Sequence, residues 1–195
     1  LYSHAAPTPK VIVTDVKLEG GFPPPPPPPP APIPPQYDKL KDLHMDIPLA
    51  KGAQPAAAIV APASGVYRSA AETVQTAIEK SSGVKVPIVS DDAPQAAVPI
   101  TGNLIVLGNR STNKTMNALY DLYYCLADLK YPGPEGYIIR TSHNPFGNGH
   151  SLVIVGGSDT AGVEQGAKAL AAVLEEIPTQ SGEFSIGWAM RTKLG

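Results

Sequence analysis

The sequence predicts an α/β (α+β) domain: a mixed β-sheet sandwiched by three helices, with an extended N-terminal strand and a polyproline II segment. Three observations predict it. Apolar residues recur at helical spacing over residues 66–80, 112–129 and 159–176. Between them lie short apolar or alternating runs at 56–61, 85–89, 103–107, 136–141 and 151–155, the length and composition of strands. Eight consecutive prolines then separate one further alternating run from everything else.

That separator is the strongest local constraint in the chain. Pro23 to Pro30, continued by Pro32, Pro34 and Pro35, have φ fixed near the polyproline II value and no backbone N–H, so they join neither a helix interior nor a central strand. At about 3.1 Å per residue, residues 23–35 reach about 40 Å, against a radius of gyration of about 14 Å for a domain of the remaining size. Before the rod, residues 10–18 alternate as a strand. Ile12, Thr14, Val16 and Leu18 lie on one face and Val11, Val13, Asp15 and Lys17 on the other. The expected layout is an N-terminal arm over 1–22, a rod and connector over 23–54, the α/β domain over 55–180 and a C-terminal strand over 181–195.

Each element of the domain has its own signal. Residues 56–61 form a short buried strand, and Tyr67, Ala70, Ala71, Val74, Ala77 and Ile78 line one face of the first helix, which Gly83 closes. Pro87 marks 85–89 as an edge strand, whereas 103–107 is apolar throughout and therefore central. Ser111 or Thr112 caps a second helix that reaches Leu129, with Met116, Leu119 and Tyr123 inward. Residues 136–141 and 151–155 make a hairpin around a Gly/Asn-rich loop. Asp159 or Ser158 caps the last helix. Finally, Phe184, Ile186, Trp188 and Met190 alternate with polar or small residues, which reads as one terminal strand with a strongly apolar face.

Composition narrows the function classes. With 195 residues, 43% of them hydrophobic, the chain holds one packed domain with extensions. A net charge of −2 and no Lys/Arg cluster leave no basic field for nucleic acid. No apolar run is long enough to span a bilayer, and the single cysteine, Cys125, excludes an internal disulfide framework. The chain begins at Leu1 without the form of a signal peptide, which reads as a processed product or an excised piece and suits an extracellular or cell-surface protein.

The chemistry-bearing residues are sparse. Asp91-Asp92 and Glu175-Glu176 are adjacent pairs whose side chains diverge, as on a solvated surface, and neither is a dyad for glycoside hydrolysis. The turn Val155-Gly-Gly-Ser-Asp159 is a place where backbone N–H groups hold anions in other folds, but it lacks dinucleotide and P-loop spacing, so tight turning and capping is the simpler purpose. His143 and His150 lack a third metal ligand. No cofactor or metal site follows, and the expectation is a protein without catalytic residues. Asn109 and Asn113 each open an Asn-x-Ser/Thr triplet and are candidate N-glycan acceptors. Thr8 and Pro23, Pro24, Pro25, Pro26, Pro27, Pro28, Pro29 and Pro30 suit O-linked or hydroxyproline-linked glycans in an exported chain.

Residues 56–177 carry a family resemblance. The strand Gly102-Asn-Leu-Ile-Val-Leu-Gly-Asn109 ahead of a helix, the phrase Gly133-Pro-Glu-Gly-Tyr-Ile-Ile-Arg140, and Ser151-Leu-Val-Ile-Val-Gly-Gly-Ser-Asp-Thr-Ala-Gly162 before the last helix resemble the non-catalytic N-terminal α/β domain of α-glucuronidases and β-hexosaminidases. In that family the domain is an accessory to a following barrel that carries the acid/base carboxylates. The resemblance implies the fold and transfers no catalytic residue.

Two functions follow. The first is a non-enzymatic structural subunit of an extracellular fibre that assembles as a homopolymer. Its strand 10–18 (Val11, Ile12, Val13, Val16, Leu18) would be lent to a neighbouring copy, with the Phe184, Ile186, Trp188 and Met190 strand as acceptor and covalent glycans as further partners. The alternative is a carbohydrate-associated accessory domain of a glycoside hydrolase-like enzyme. A small-molecule enzyme built on the Gly156-Gly157 turn is the remaining class.

Overall fold

The structure is a computed structural model that describes residues 45–92, 102–178 and 182–195. The calls on the N-terminal arm and the proline rod therefore lie outside the described residues. The described chain contains nine strands, β1 (Ile47–Lys51), β2 (Gln54–Pro55), β3 (Ala57–Ala61), β4 (Ile88–Ser90), β5 (Asn103–Gly108), β6 (Tyr137–Ser142), β7 (Leu152–Gly157), β8 (Glu183–Ile186) and β9 (Met190–Lys193). It contains three helices, α1 (Arg68–Ser82), α2 (Lys114–Asp121) and α3 (Thr160–Glu175).

A six-stranded mixed sheet in the order β4-β3-β5-β7-β6-β9 is the centre of the described domain. β4, β3, β5 and β7 are parallel neighbours, while β6 and β9 run antiparallel. The inner strands are buried on both faces, which explains why they read as continuous apolar runs. Ile59, Ile105, Leu107, Val153 and Val155 enter one core cluster, and Val60, Leu104, Val106, Leu152 and Ile154 enter the other. The first cluster is covered by α1 and α3, whose inward residues include Ala71, Val74 and Ile78 from one and Val163, Ala167 and Leu170 from the other. The second is covered by α2 through Met116 and Leu119. The expected sandwich of a mixed sheet between three helices is what forms.

Local chemistry fixes the helix ends. Gly83 adopts a left-handed φ of 72° and its N–H caps the Glu79 carbonyl, closing α1. The Asp159 side chain accepts from the Gly162 N–H at 2.7 Å and opens α3. Close backbone approach explains Gly162 itself, because a Cβ there would lie 2.2 Å from the Gly136 carbonyl oxygen.

Four sequence expectations are corrected. Residues 36–54 are not connector throughout, because β1 pairs antiparallel with β8 and buries Ile47, Leu49 and Ala50. Pro48 lies within β1, where the register shifts between Pro48 and Ala50, and such an irregularity accommodates a residue without an N–H. β1, β2 and β8 form a separate three-stranded sheet that joins the α1/α3 core through Phe184 and Ile186. The second helix stops at Asp121 rather than Leu129, and its cap is Asn113 rather than Ser111 or Thr112. Tyr123 turns the chain with φ 62° and is 83% exposed, and Cys125 and Ala127 both face the core. Two core residues spaced by two cannot share a helix face.

The C-terminal run is likewise two strands in different sheets, interrupted at Gly187. Phe184 and Ile186 are buried whereas Trp188 and Met190 are 61% and 58% exposed, so the four do not form one apolar face. Phe184→Ala is expected to cost about 3–5 kcal/mol by cavity formation, while Trp188→Ala stays within about 0.5 kcal/mol. Urea denaturation of the two variants measures the contrast.

Candidate functional site

In open α/β sheets the ligand crevice lies beyond the carboxyl ends of the parallel strands, where the strand order reverses. Here β3 has β4 on one side and β5 on the other, so the reversal falls between β3 and β5. The segments that meet there are the loop after β3, residues 109–113 after β5, Asp91 and Asp92 after β4, and Ser158 after β7.

Polar side chains pack this edge, and they point inward. Asn109 is fully buried, and its Nδ2 donates to the Gly157 carbonyl at 3.0 Å and to the Ser158 carbonyl at 3.4 Å, tying β5 to β7 beyond their last ladder pair. Its Oδ1 accepts from the Ser111 N–H at 3.0 Å. Four residues on, the Asn113 Nδ2 donates to the Leu107 and Val60 carbonyls at 3.0 and 3.3 Å, joining β5 to β3. The same carboxamide's Oδ1 accepts from the N–H groups of Thr115 and Met116 and so caps α2. Asp91, buried as well, accepts from the Ala63 N–H at 2.8 Å and the Lys114 N–H at 2.9 Å. The Tyr67 hydroxyl donates to Thr112 Oγ1 at 3.2 Å, and burial, the largest influence on it, raises the Tyr67 pKa. Among the described residues no buried side-chain nitrogen or oxygen lacks a partner.

The outer rim is charged but paired. A polar cleft of about 320 Å³ opens beside Asp91, Arg110, Ser111, Thr112, Lys114 and Asn117. Lys114 pairs with the Asp92 carboxylate, and that hydrogen bond raises the pKa of the ammonium. Arg110 lies 4.3 Å over the Tyr120 ring. Asp128 accepts from the Tyr131 and Lys130 N–H groups, which hold its pKa below the usual carboxylate value. No two carboxylates in this cleft are left facing a common opening, since Asp91 is committed to backbone N–H groups and Asp92 to Lys114.

The sequence-derived candidates can now be placed. Asn109 and Asn113 are buried, with the nitrogen to which a glycan would be attached already donating two hydrogen bonds each, so neither is available as an acceptor in the folded chain. Asp91 belongs to the interior rather than to a solvated pair. Glu175 is an exposed partner of Lys80 at 3.2 Å. Gly156 and Gly157 are set by packing: a Cβ would lie 2.7 Å from Ala127 Cβ in one case and 2.6 Å from the Val163 nitrogen in the other. His143 contacts the Met45 carbonyl at 2.6 Å, His150 lines a cavity beside Asn103 and Leu104, and among the described residues no group of three metal-ligating side chains gathers. Phe184 and Ile186 are enclosed in their own domain, which removes them as an open acceptor face, whereas Trp188 and Met190 remain exposed. Thr8, Pro23–Pro30 and residues 10–18 lie outside the described residues.

Asp91, Tyr67 and Ser158 meet at this edge in roles that sequence reasoning did not assign: Asp91 binds two backbone N–H groups, Tyr67 bonds Thr112, and the Ser158 carbonyl accepts from Asn109. The available signal was two asparagines spaced by four around a strand-to-helix turn, a pattern that serves strand ends and caps as well as glycan acceptors.

No protein-family model matches the sequence. No curated protein matches it either. Among solved structures, the chain is similar to a family GH115 4-O-methyl-α-glucuronidase with specificity for decorated arabinogalactans, at 19% identity and a TM-score of 0.50. The match covers 75% of this chain and 18% of that one, so the chain spans less than a fifth of the enzyme's length. The likeness is one of fold, and it agrees with the α/β domain that the sequence resembles.

Two outcomes follow from the buried edge. Asn113→Ala is expected to cost about 3 kcal/mol, from a lost cap of about 1 and two unpaired carbonyls, measured by chemical denaturation. Burial, ahead of every other influence, pushes the Cys125 thiol up. Folding therefore favours the neutral thiol, and this contribution, complete below the ordinary thiol pKa, falls as pH rises past it. The native protein should leave Cys125 unmodified by a thiol reagent at neutral pH, and unfolding should release one reactive equivalent.

Proposed function

We propose that the α/β unit is a non-catalytic, carbohydrate-associated accessory module of the glycoside-hydrolase kind, acting by shape rather than by bond chemistry. One observation carries the reading: at the edge where a sheet of this kind would bind a reacting ligand, the asparagine and aspartate side chains are already engaged in hydrogen bonds within the chain, so the cleft there presents no free carboxylate pair. Supporting it is the likeness of fold to an α-glucuronidase of which the chain spans 18%. On this reading the module's work is to hold a neighbour in place, at the surface of the cell or outside it.

A second reading has a specific observation in its favour. The chain would be a structural subunit of an extracellular fibre, built from copies of itself and bearing glycans at Thr8 and Pro23–Pro30. Three exposed apolar side chains near the last sheet strand, Leu126, Tyr131 and Met190, lie together around one shallow groove, as a contact surface does. Among the described residues no helix is long and apolar enough to cross a membrane.

The purified chain should hydrolyse no aryl glycoside, including a 4-O-methyl-α-glucuronide, above the uncatalysed rate. Turnover abolished by Asp91→Asn or by any other single carboxylate replacement would overturn the non-catalytic reading.

A further inference from the structure

Core packing turns the loop after α2 outward. Cys125 and Ala127 enter the core in extended spacing, so Tyr124 and Leu126 face the other way. Of the ten large apolar side chains exposed among the described residues, six lie in residues 122–131: Leu122, Tyr123, Tyr124, Leu126, Leu129 and Tyr131. Met190 of β9 joins them, since it shares a groove with Leu126 and Tyr131. We propose that this face is a two-fold contact between two copies of the chain. It includes the groove cited for the fibre reading, yet a closed pair serves an accessory module equally, so the inference stands apart from both readings of function.

Slack in the loop does not explain the exposure. The Tyr124 and Cys125 N–H groups donate to the Leu119 carbonyl at 2.9 and 3.3 Å, and the Arg110 N–H donates to the Ala127 carbonyl at 3.0 Å. Asp128 Oδ1 accepts from the N–H groups of Lys130 and Tyr131 at 2.7 and 2.8 Å, and the Asp128 N–H donates to the Tyr131 carbonyl at 2.9 Å. The backbone is fixed at both ends of the loop, and its side chains are displayed from it. Tyr123 shows this most clearly, with φ 62° and 83% exposure. A left-handed φ suits glycine or asparagine, and a bulky tyrosine adopts it at a cost in stability. Its ring, left in water, gains little packing in the single chain to offset that cost.

Area and charge both favour a second copy as the partner. At about 200 Å² for a fully exposed residue of this size, the seven side chains leave on the order of 800 Å² in water. The largest apolar patch of a typical monomer is about 300–600 Å², whereas each partner in a stable interface contributes about 800 Å². The face also carries both signs of charge. Asp121 and Asp128 lie in or beside the loop with Lys130, Arg140 lines the groove, and Arg110 is stacked on the Tyr120 ring near Asp128. Lys130 and Arg140 are in no ion pair among the described residues. A strongly acidic or strongly basic partner would meet like charge here. A two-fold axis instead lets each copy's cations face the other's carboxylates, and such a self-complementary contact closes at two copies.

The test is sedimentation of the full chain over a range of concentrations, with Tyr123→Gly and Leu126→Asp as variants. Leu129→Asp replaces either one whose circular dichroism is altered. The full chain should sediment as two copies, and each variant should raise the dissociation constant of the pair at least tenfold. Measured on the dilute single chain, Tyr123→Gly should leave the urea midpoint no lower than before, because it removes an exposed ring and a strained φ. A lowered midpoint would mean that the tyrosine serves the fold, and would overturn its place in the contact. A full chain that stays single at every concentration overturns the pairing, as when the face meets a different protein or a glycan. Assemblies of any size that the variants leave unchanged overturn this face and leave the fibre reading in place. Assemblies beyond two copies that the variants dissolve overturn the two-fold pairing in favour of a head-to-tail contact.

Discussion

Two carboxamides hold the carboxyl edge of the sheet together. Asn109 bridges the ends of β5 and β7 and Asn113 bridges β3 and β5, each through a buried Nδ2 that donates to two backbone carbonyls. These carbonyls lie where ladder pairing runs out, and leaving one buried without a donor costs about 1–3 kcal/mol. Because Asn113 Oδ1 also caps α2, the same side chain sets where that helix begins and how it meets the sheet. Asp91 adds β4 by holding the Ala63 and Lys114 N–H groups. The inner part of the edge is thus a hydrogen-bonded seam. Beside it opens the polar cleft of about 320 Å³, whose lining carboxylate, Asp91, is already held by backbone N–H groups.

This seam shifts attention from the carboxyl edge to the sheet's far side. β9 completes the sheet without burying any of its residues, and the loop that follows α2 places Leu126 and Tyr131 beside it. The α2 helix is short because Cys125 and Ala127 must return to the core in extended spacing, and Leu122 and Tyr123 are left in solvent as a result. The committed polar side chains of the carboxyl edge and the exposed strand β9 are the two features on which the proposed contact role rests. The accessory and fibre readings share that inference and differ in what the edge meets.

Much of the fold was legible because burial on one or two faces leaves periodic traces. α1, α3, β5 and β7 each follow their own pattern, and Gly83 and Asp159 mark helix ends by local chemistry that needs no tertiary partner. Other features depended on distant pairing. β1 is a strand because β8 lies beside it more than a hundred residues later, and its short mixed sequence shows no period of its own. Phe184 to Met190 alternates as one strand would, yet Gly187 lets the chain pass between two sheets. At the site, Asn109 and Asn113 spell glycan acceptors in sequence. Their real partners, the carbonyls of Val60, Leu107, Gly157 and Ser158, come from three strands that are apart in the chain. No triplet motif carries that information.

Hydrogen exchange of the side-chain amides, followed by NMR, reads the seam itself. The Nδ2 protons of Asn109 and Asn113 should exchange as slowly as the backbone amides of Val106 and Ile154 in the central strands, because both sets open only when the sheet does. The exposed Asn144 supplies the fast reference in the same spectrum. Exchange of the Asn109 and Asn113 protons at the rate of Asn144 would mean that the edge is open to solvent, and the crevice would again be available for a ligand.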